Sequence, residues 1–191
     1  MILFFQAALV IIILVTVLWI WSISIKNVSI IDVFWGSGFV IVNVFYALMY
    51  GELTTRKLVV LILVGIWGLR LSIYLFIRNS GKGEDFRYQE FRKNYGPKRY
   101  WWFSFFQTFL LQAVLIMIVS IPLFAINTSS SSGDLTSLDY LGILVWFVGF
   151  IFESVGDYQL VRFKQNPNNK GKVLDSGLWK YTRHPNYFGD S

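Results

Sequence analysis

The sequence predicts an all-α protein, a polytopic bundle of transmembrane helices with about five spans. Three observations predict it. Hydrophobic residues make up 55% of the 191 residues and charged residues only 15%, against roughly 45–50% and about 25% in soluble domains. Apolar runs near the ~20 residues needed to cross a bilayer recur along the chain. The Lys and Arg residues gather in the gaps between those runs. The composition excludes a disordered chain. The absence of cysteine excludes a disulfide scaffold, a thiolate metal site and a Cys nucleophile. The single histidine, His184, excludes a multi-His metal site. A net charge of +6 would coat the surface of a soluble nucleic-acid binder. Here it lies between apolar runs and reads as topology, with membrane lipid and not nucleic acid as the partner.

Taken in order, residues 2–25 carry no charge. They lack a basic n-region and an A-x-A-like cleavage site, so they read as a retained span and not as a signal peptide. The second run, 28–50, has Asp32 near its start. The third, 58–77, carries Arg70. The fourth, 103–126, is uncharged but contains Gln107 and Gln112. The fifth, 138–161, opens with Asp139 and carries Glu153 and Asp157 near its far end. Residues 78–99 hold seven Lys and Arg and residues 162–183 hold six, together 13 of the chain's 17. The positive-inside rule places both segments in the cytoplasm, with the N-terminus outside. Lys26 then also falls inside, and Arg56 and Lys57 are the exception. No soluble domain separates from this array, so residues 1–191 read as one integral-membrane domain. The chain stops directly after a dense polar motif with no closing helix, which reads as truncation at the C-terminus.

Ionisable groups at membrane depth are costly and mark function by default. Arg70 reads either as a snorkelling or interhelical cation, paired with Asp32 or a carbonyl, or as a ligand contact. Glu153 and Asp157 are four apart and share a helix face. Gly142, Gly149 and Gly156 recur every seven residues on nearly the same face, and small residues so spaced let another helix approach. The two carboxylates therefore point into protein, either as a structural network with Arg70 or Arg162 or, the preferred reading because the helix runs into the next motif, as a wall facing a cofactor. Residues 177–190 then pack Arg183, His184, Asn186, Tyr187 and Asp190 around Pro185. Arg offers a planar fork for phosphate or carboxylate, and His and Asn offer directed donors. Pro185 breaks any helix before it. That density of donors reads as a ligand site. Residues 81–96 mix both charge signs with aromatics and read as an interfacial helix facing anionic head groups. Gly36-Ser37-Gly38 lies in an apolar run with no βαβ unit after it, so there is no Rossmann fingerprint.

Several blocks resemble the steroid 5-alpha-reductase-like membrane family, including its bacterial branch of unknown function. They are Asp32-Val33-Phe34-Trp35-Gly36, Trp67-Gly68-Leu69-Arg70-Leu71, Gly81 through Tyr88, Gly156-Asp157, and Gly177 through Gly189. The Arg-His-Pro-Asn-Tyr element is similar to one in sterol reductases. A related Arg-His-Pro element occurs in isoprenylcysteine carboxyl methyltransferases. The resemblance implies a membrane reductase with NADPH near the cytoplasmic face. It implies hydride transfer to the β-carbon of a lipid-like or steroid-like enone. It also implies cofactor contacts from Lys172, Asn186 and Asp190, and from Arg183, His184 and Tyr187 of the sterol-reductase motif. On the preceding helix Glu153, Asp157 and Lys164 match polar cofactor-binding positions. The acid and tyrosine that orient the enone carbonyl in steroid reductases are not placed on this sequence, and the catalytic residues stay unassigned. The alternatives are an S-adenosylmethionine-dependent membrane methyltransferase and a non-catalytic membrane protein. The expected location is a bacterial inner membrane.

Overall fold

The computed structural model describes residues 1–129 and 134–190, without the side chain of Asp190. The described residues are helical with no β-strand. They form two compact units, Met1–Asp134 and Leu135–Ser191.

In the first unit, α1 (Ile2–Ile25) is apolar all round, as a lipid-facing helix must be. It buries only the stripe Ala7, Ile11, Val15, Leu18 and Ser22, spaced three and four apart. Lys26 turns left-handed at its end (φ 53°), and the Asn27 amide returns to the Ser22 carbonyl. The run expected over 28–50 is broken in two. The side-chain oxygen of Asn27 accepts from the amide and hydroxyl of Ser29 at 3.0 and 2.7 Å. That local turn keeps the first residues out of the helix. A short α2 (Ile30–Val33) stops at Phe34, and α3 (Trp35–Met49) continues for 15 residues.

α4 (Thr55–Asn79) begins before the apolar run does, so Arg56 and Lys57 lie inside the helix. Lys57 is buried, and its ammonium donates to the carbonyls of Tyr50 and Glu52 at 3.0 and 3.1 Å. The exception to the charge rule thus caps the α3–α4 turn. α3 and α4 cross through Gly36 and Gly68, where a Cβ on either would strike the other's backbone carbonyl. Beside the crossing, Ser72 Oγ accepts from the Ser37 amide (3.0 Å) and the two hydroxyls lie 2.8 Å apart.

α5 (Phe86–Tyr95) is the segment read as an interfacial helix, and its N-terminal end is clamped to the α1–α2 turn. Tyr88 Oη donates to Asp32 Oδ1 at 2.8 Å and Arg87 Nη2 to Asp32 Oδ2 at 3.1 Å. Arg92 donates to Glu84 at 2.8 and 3.1 Å, and Glu84 also accepts from the Val28 amide. Asp85 caps the helix, accepting from the Arg87 amide and Nε at 3.0 Å each. The Arg87 guanidinium holds the Asp85 carboxyl below its ordinary range. Arg70 has its guanidinium 5.7 Å from the Tyr74 ring centre.

α6 (Pro97–Ser104), a π-helical turn (Phe105–Leu110) and α7 (Leu111–Val119) form one membrane-length element. It starts at Pro97 and ends near Ser120, because Pro122 has no amide to continue the ladder. α8 (Ile121–Thr128) follows as a separate helix. Asn127 Nδ2 donates to Asn43 Oδ1 at 3.0 Å, a buried polar tie between α8 and α3.

The second unit is built on α9 (Ser137–Gln165), which opens with a capping box in which Thr136 and Asp139 bond reciprocally. Four helices, residues 2–25, 55–79, 97–119 and 137–165, are long and apolar enough to cross a membrane, and α3 is a shorter apolar helix. The chain is an all-α membrane protein.

Candidate functional site

The site is assembled within the second unit from α9 and the chain that returns along it. Asn166 ends α9 and caps a 3₁₀ turn, Pro167–Asn169, by accepting from the Asn168 amide. Asn169 Nδ2 reaches back to the Phe163 carbonyl at 3.0 Å. A loop with left-handed Gly171 (φ 81°) leads to a second 3₁₀ turn, Gly177–Lys180. Two bonds pin that turn to α9. The Leu178 amide donates to Gln159 Oε1, and Trp179 Nε1 donates to the Gly156 carbonyl, each at 3.0 Å. After Pro185 the chain folds into α10 (Pro185–Asp190), which lies along α9.

The glycine stripe explains that fold-back. A Cβ at Gly149 would strike the Gly189 carbonyl, and one at Gly156 would press on Pro185 and the Asn186 amide. Gly142, the third member, faces open space. The small residues therefore admit the motif's own helix. Glu153 and Asp157 lie on the same seam, each 4% exposed. Asn186 Nδ2 donates to Asp157 Oδ1 at 3.2 Å. Asn186 Oδ1 is buried without a hydrogen-bond partner among the described residues. Phe152 and Phe188 close the seam edge-to-face, with ring centres 5.1 Å apart.

Beside the seam opens a cavity of about 780 Å³. Lys164, Lys170, Lys172 and Arg183 line it, against the single carboxylate of Asp175. His184, Trp179, Phe163 and Leu160 supply its apolar and aromatic wall. Of the expected residues, Lys164, Lys172, Arg183 and His184 thus meet on one cavity. Asp157 and Asn186 form the buried bond next to it. Glu153 sits beneath Gly189, on the seam and outside the cavity lining. Tyr187 is 67% exposed, with its ring 5.3 Å from that of His184. The side chain of Asp190 lies outside the described part. Lys170 and Trp179 are cavity residues that motif reading passed over. The run of three lysines over 164–172 and the tryptophan inside the quoted motif were their signals.

These features define a membrane protein in which the span α9 and the chain after it carry a cationic, aromatic-walled cleft. The chain belongs to the family described as "Protein of unknown function (DUF1295)", whose model matches residues 18–191. It is 24% identical over 202 residues to an uncharacterized protein of Schizosaccharomyces pombe, covering 93% of this chain and 58% of that one. It is 39% identical over 62 residues to the probable O-methyltransferase ustE of Ustilaginoidea virens, covering 31% of this chain and 22% of the relative. The chain thus spans little more than half the length of the first relative and about a fifth of the second. No solved structure matches it.

Proposed function

We propose that the protein is a membrane reductase that uses NADPH to reduce a carbon–carbon double bond conjugated to a carbonyl in an apolar, lipid-like substrate. The charge of the cleft carries this reading. Three lysines and an arginine face one aspartate across about 780 Å³, within the usual range of ~300–1,000 Å³ for a small-molecule site. NADPH brings a pyrophosphate and a 2′-phosphate, and charge-assisted bonds from Lys and Arg are the strong way to hold them. Arg183 suits a bidentate phosphate contact, and the lysines act as point charges. Trp179 and His184 give flat surfaces for a heterocycle. The buried, unpartnered Asn186 Oδ1 is an acceptor suited to an amide or hydroxyl donor. When bound, NADPH supplies the hydride. The chain's own residues bind and orient it, and α10 shields the seam from water.

A methyltransferase reading is favoured by one observation, the relative from Ustilaginoidea virens. The cleft's charge weighs against it. S-adenosylmethionine bears a sulfonium and an ammonium against one carboxylate, and is repelled by four cations. Titration of the detergent-purified protein with each cofactor separates the two. Saturable NADPH binding, weakened about 10- to 100-fold in Arg183→Ala as for a lost charged hydrogen bond, is the expected result. Binding of S-adenosylmethionine alone overturns it.

A further inference from the structure

The first unit presents a second basic cluster that no part of the cleft uses. α5 and α6 meet at Gly96, whose positive φ of 77° only glycine adopts at little cost. The basic residues around this elbow divide in two. Arg87 and Arg92 are ion-paired within the chain, with Asp32, Asp85 and Glu84. Lys93, Lys98 and Arg99 are exposed and make no ion pair among the described residues. Glu90, one turn back on α5, is the exposed acid nearest in sequence.

The apolar side of the elbow is exposed as well. Trp101, Trp102 and Phe106 show 48%, 44% and 56% of their surface. Lys98, Trp102 and Phe106 are four residues apart, so they form one stripe running inward from the start of a membrane-length helix. The Trp102 and Phe106 rings confirm the stripe, with centres 6.4 Å apart. Going inward, the stripe reads cation, amphipathic indole, apolar ring. This is the polarity profile of one phospholipid, from head group through interface to acyl chain.

We propose that Lys93, Lys98 and Arg99 bind the phosphodiester head group of an anionic glycerophospholipid, whose chain lies along Trp102 and Phe106. Two features favour a lipid over a soluble anion. Lys98 and Arg99 open a membrane-length element, with Lys93 in the last turn of the helix before it, and the exposed aromatic stripe continues from Lys98 toward the bilayer. A soluble phosphate uses only the first half of that surface.

The test uses the full chain in nanodiscs of mixed phosphatidylglycerol and phosphatidylcholine, with the enrichment of phosphatidylglycerol read by mass spectrometry of the retained lipid. Each cation near a membrane surface is worth about 1 kcal/mol, or about fivefold. Lys98→Gln is therefore expected to cut the enrichment about fivefold, and the triple variant Lys93→Gln/Lys98→Gln/Arg99→Gln to abolish it. A charge-matched variant, Lys26→Gln/Lys82→Gln/Lys180→Gln, is expected to keep it. Equal loss in both triple variants overturns the assignment in favour of bulk charge. No enrichment in the parent chain also overturns it. Displacement of the phosphatidylglycerol preference by excess inorganic phosphate would show a free-anion site and overturn the lipid reading. Persistence of the preference under that challenge supports it.

Discussion

At the scale of single residues, the two halves of the Arg183–Asn186 motif do different work. Asn186 holds α10 to α9 through the buried Asp157 carboxylate. Arg183 is exposed and lines the cavity. Asn186→Ala removes one donor from a buried carboxylate, at a cost of about 1–3 kcal/mol. Thermal unfolding in detergent should show that loss, accompanied by weaker NADPH binding as the seam loosens. Arg183→Ala removes a surface cation, and such changes cost about 0.5 kcal/mol or less. Its unfolding should match the parent's while NADPH affinity falls. A destabilised Arg183→Ala with unchanged affinity would reverse the two roles.

At the scale of elements, glycines decide which helices touch. Gly142 and Gly149 occupy equivalent places on α9, one facing space and the other the Gly189 carbonyl. Gly149→Val is expected to cost about 1–3 kcal/mol by overpacking and to detach α10, read as faster proteolysis after residue 165. Gly142→Val is expected to be neutral within about 0.5 kcal/mol. The cap of α5 makes a pH-dependent prediction. The Asp85 carboxyl sits below its ordinary 3.8 in the folded protein because Arg87 donates to it. Its contribution is present above that value and is lost as pH falls through the lower, folded value. Asp85→Ala should therefore cost about 1 kcal/mol at neutral pH, and the deficit should shrink in acid below 3.8. The helices themselves were legible from hydropathy, and so was the shared face of Gly149, Glu153, Gly156 and Asp157. What packs on that face was not, since Pro185 signals only a break and says nothing of the chain folding back. The break at Phe34 has no Pro or Gly before it to announce it. The clamp of Asp32 to Arg87 and Tyr88 joins residues 55 and 56 apart, beyond the reach of any local pattern.

At the scale of the whole molecule, topology turns on α3. Its 15 residues reach about 22 Å at 1.5 Å each, short of a hydrocarbon core of about 30 Å. Together, α2 and α3 cover residues 30–49 and come close to that thickness. Whether this pair crosses decides the side of everything after it. If it crosses, Lys26 and Lys82 lie on one side of the membrane; if it returns, they lie on opposite sides. The structure has the pair crossing, because Glu84 accepts from the Val28 amide and the Asp85 amide donates to Ser29, which holds the segments after Lys26 and Lys82 together on one side, and the positive-inside rule agrees. Because the chain has no cysteine, any introduced thiol is the only one, and its labelling by a membrane-impermeant maleimide is unambiguous. Lys26→Cys, Lys82→Cys and Asn168→Cys are expected to label from the same face, and Glu52→Cys from the other. Asn168 sits on the turn between α9 and the cationic cleft, so its label also reports the side from which a soluble cofactor enters. Labelling of Lys82→Cys and Asn168→Cys from one face and Lys26→Cys from the other would mean that α3 returns without crossing and that the bonds of Glu84 and Asp85 to the α1–α2 turn do not form in the membrane. In that case the loop capped by Lys57 would share a side with the α1–α2 turn, and the charge asymmetry alone would no longer fix which compartment supplies NADPH.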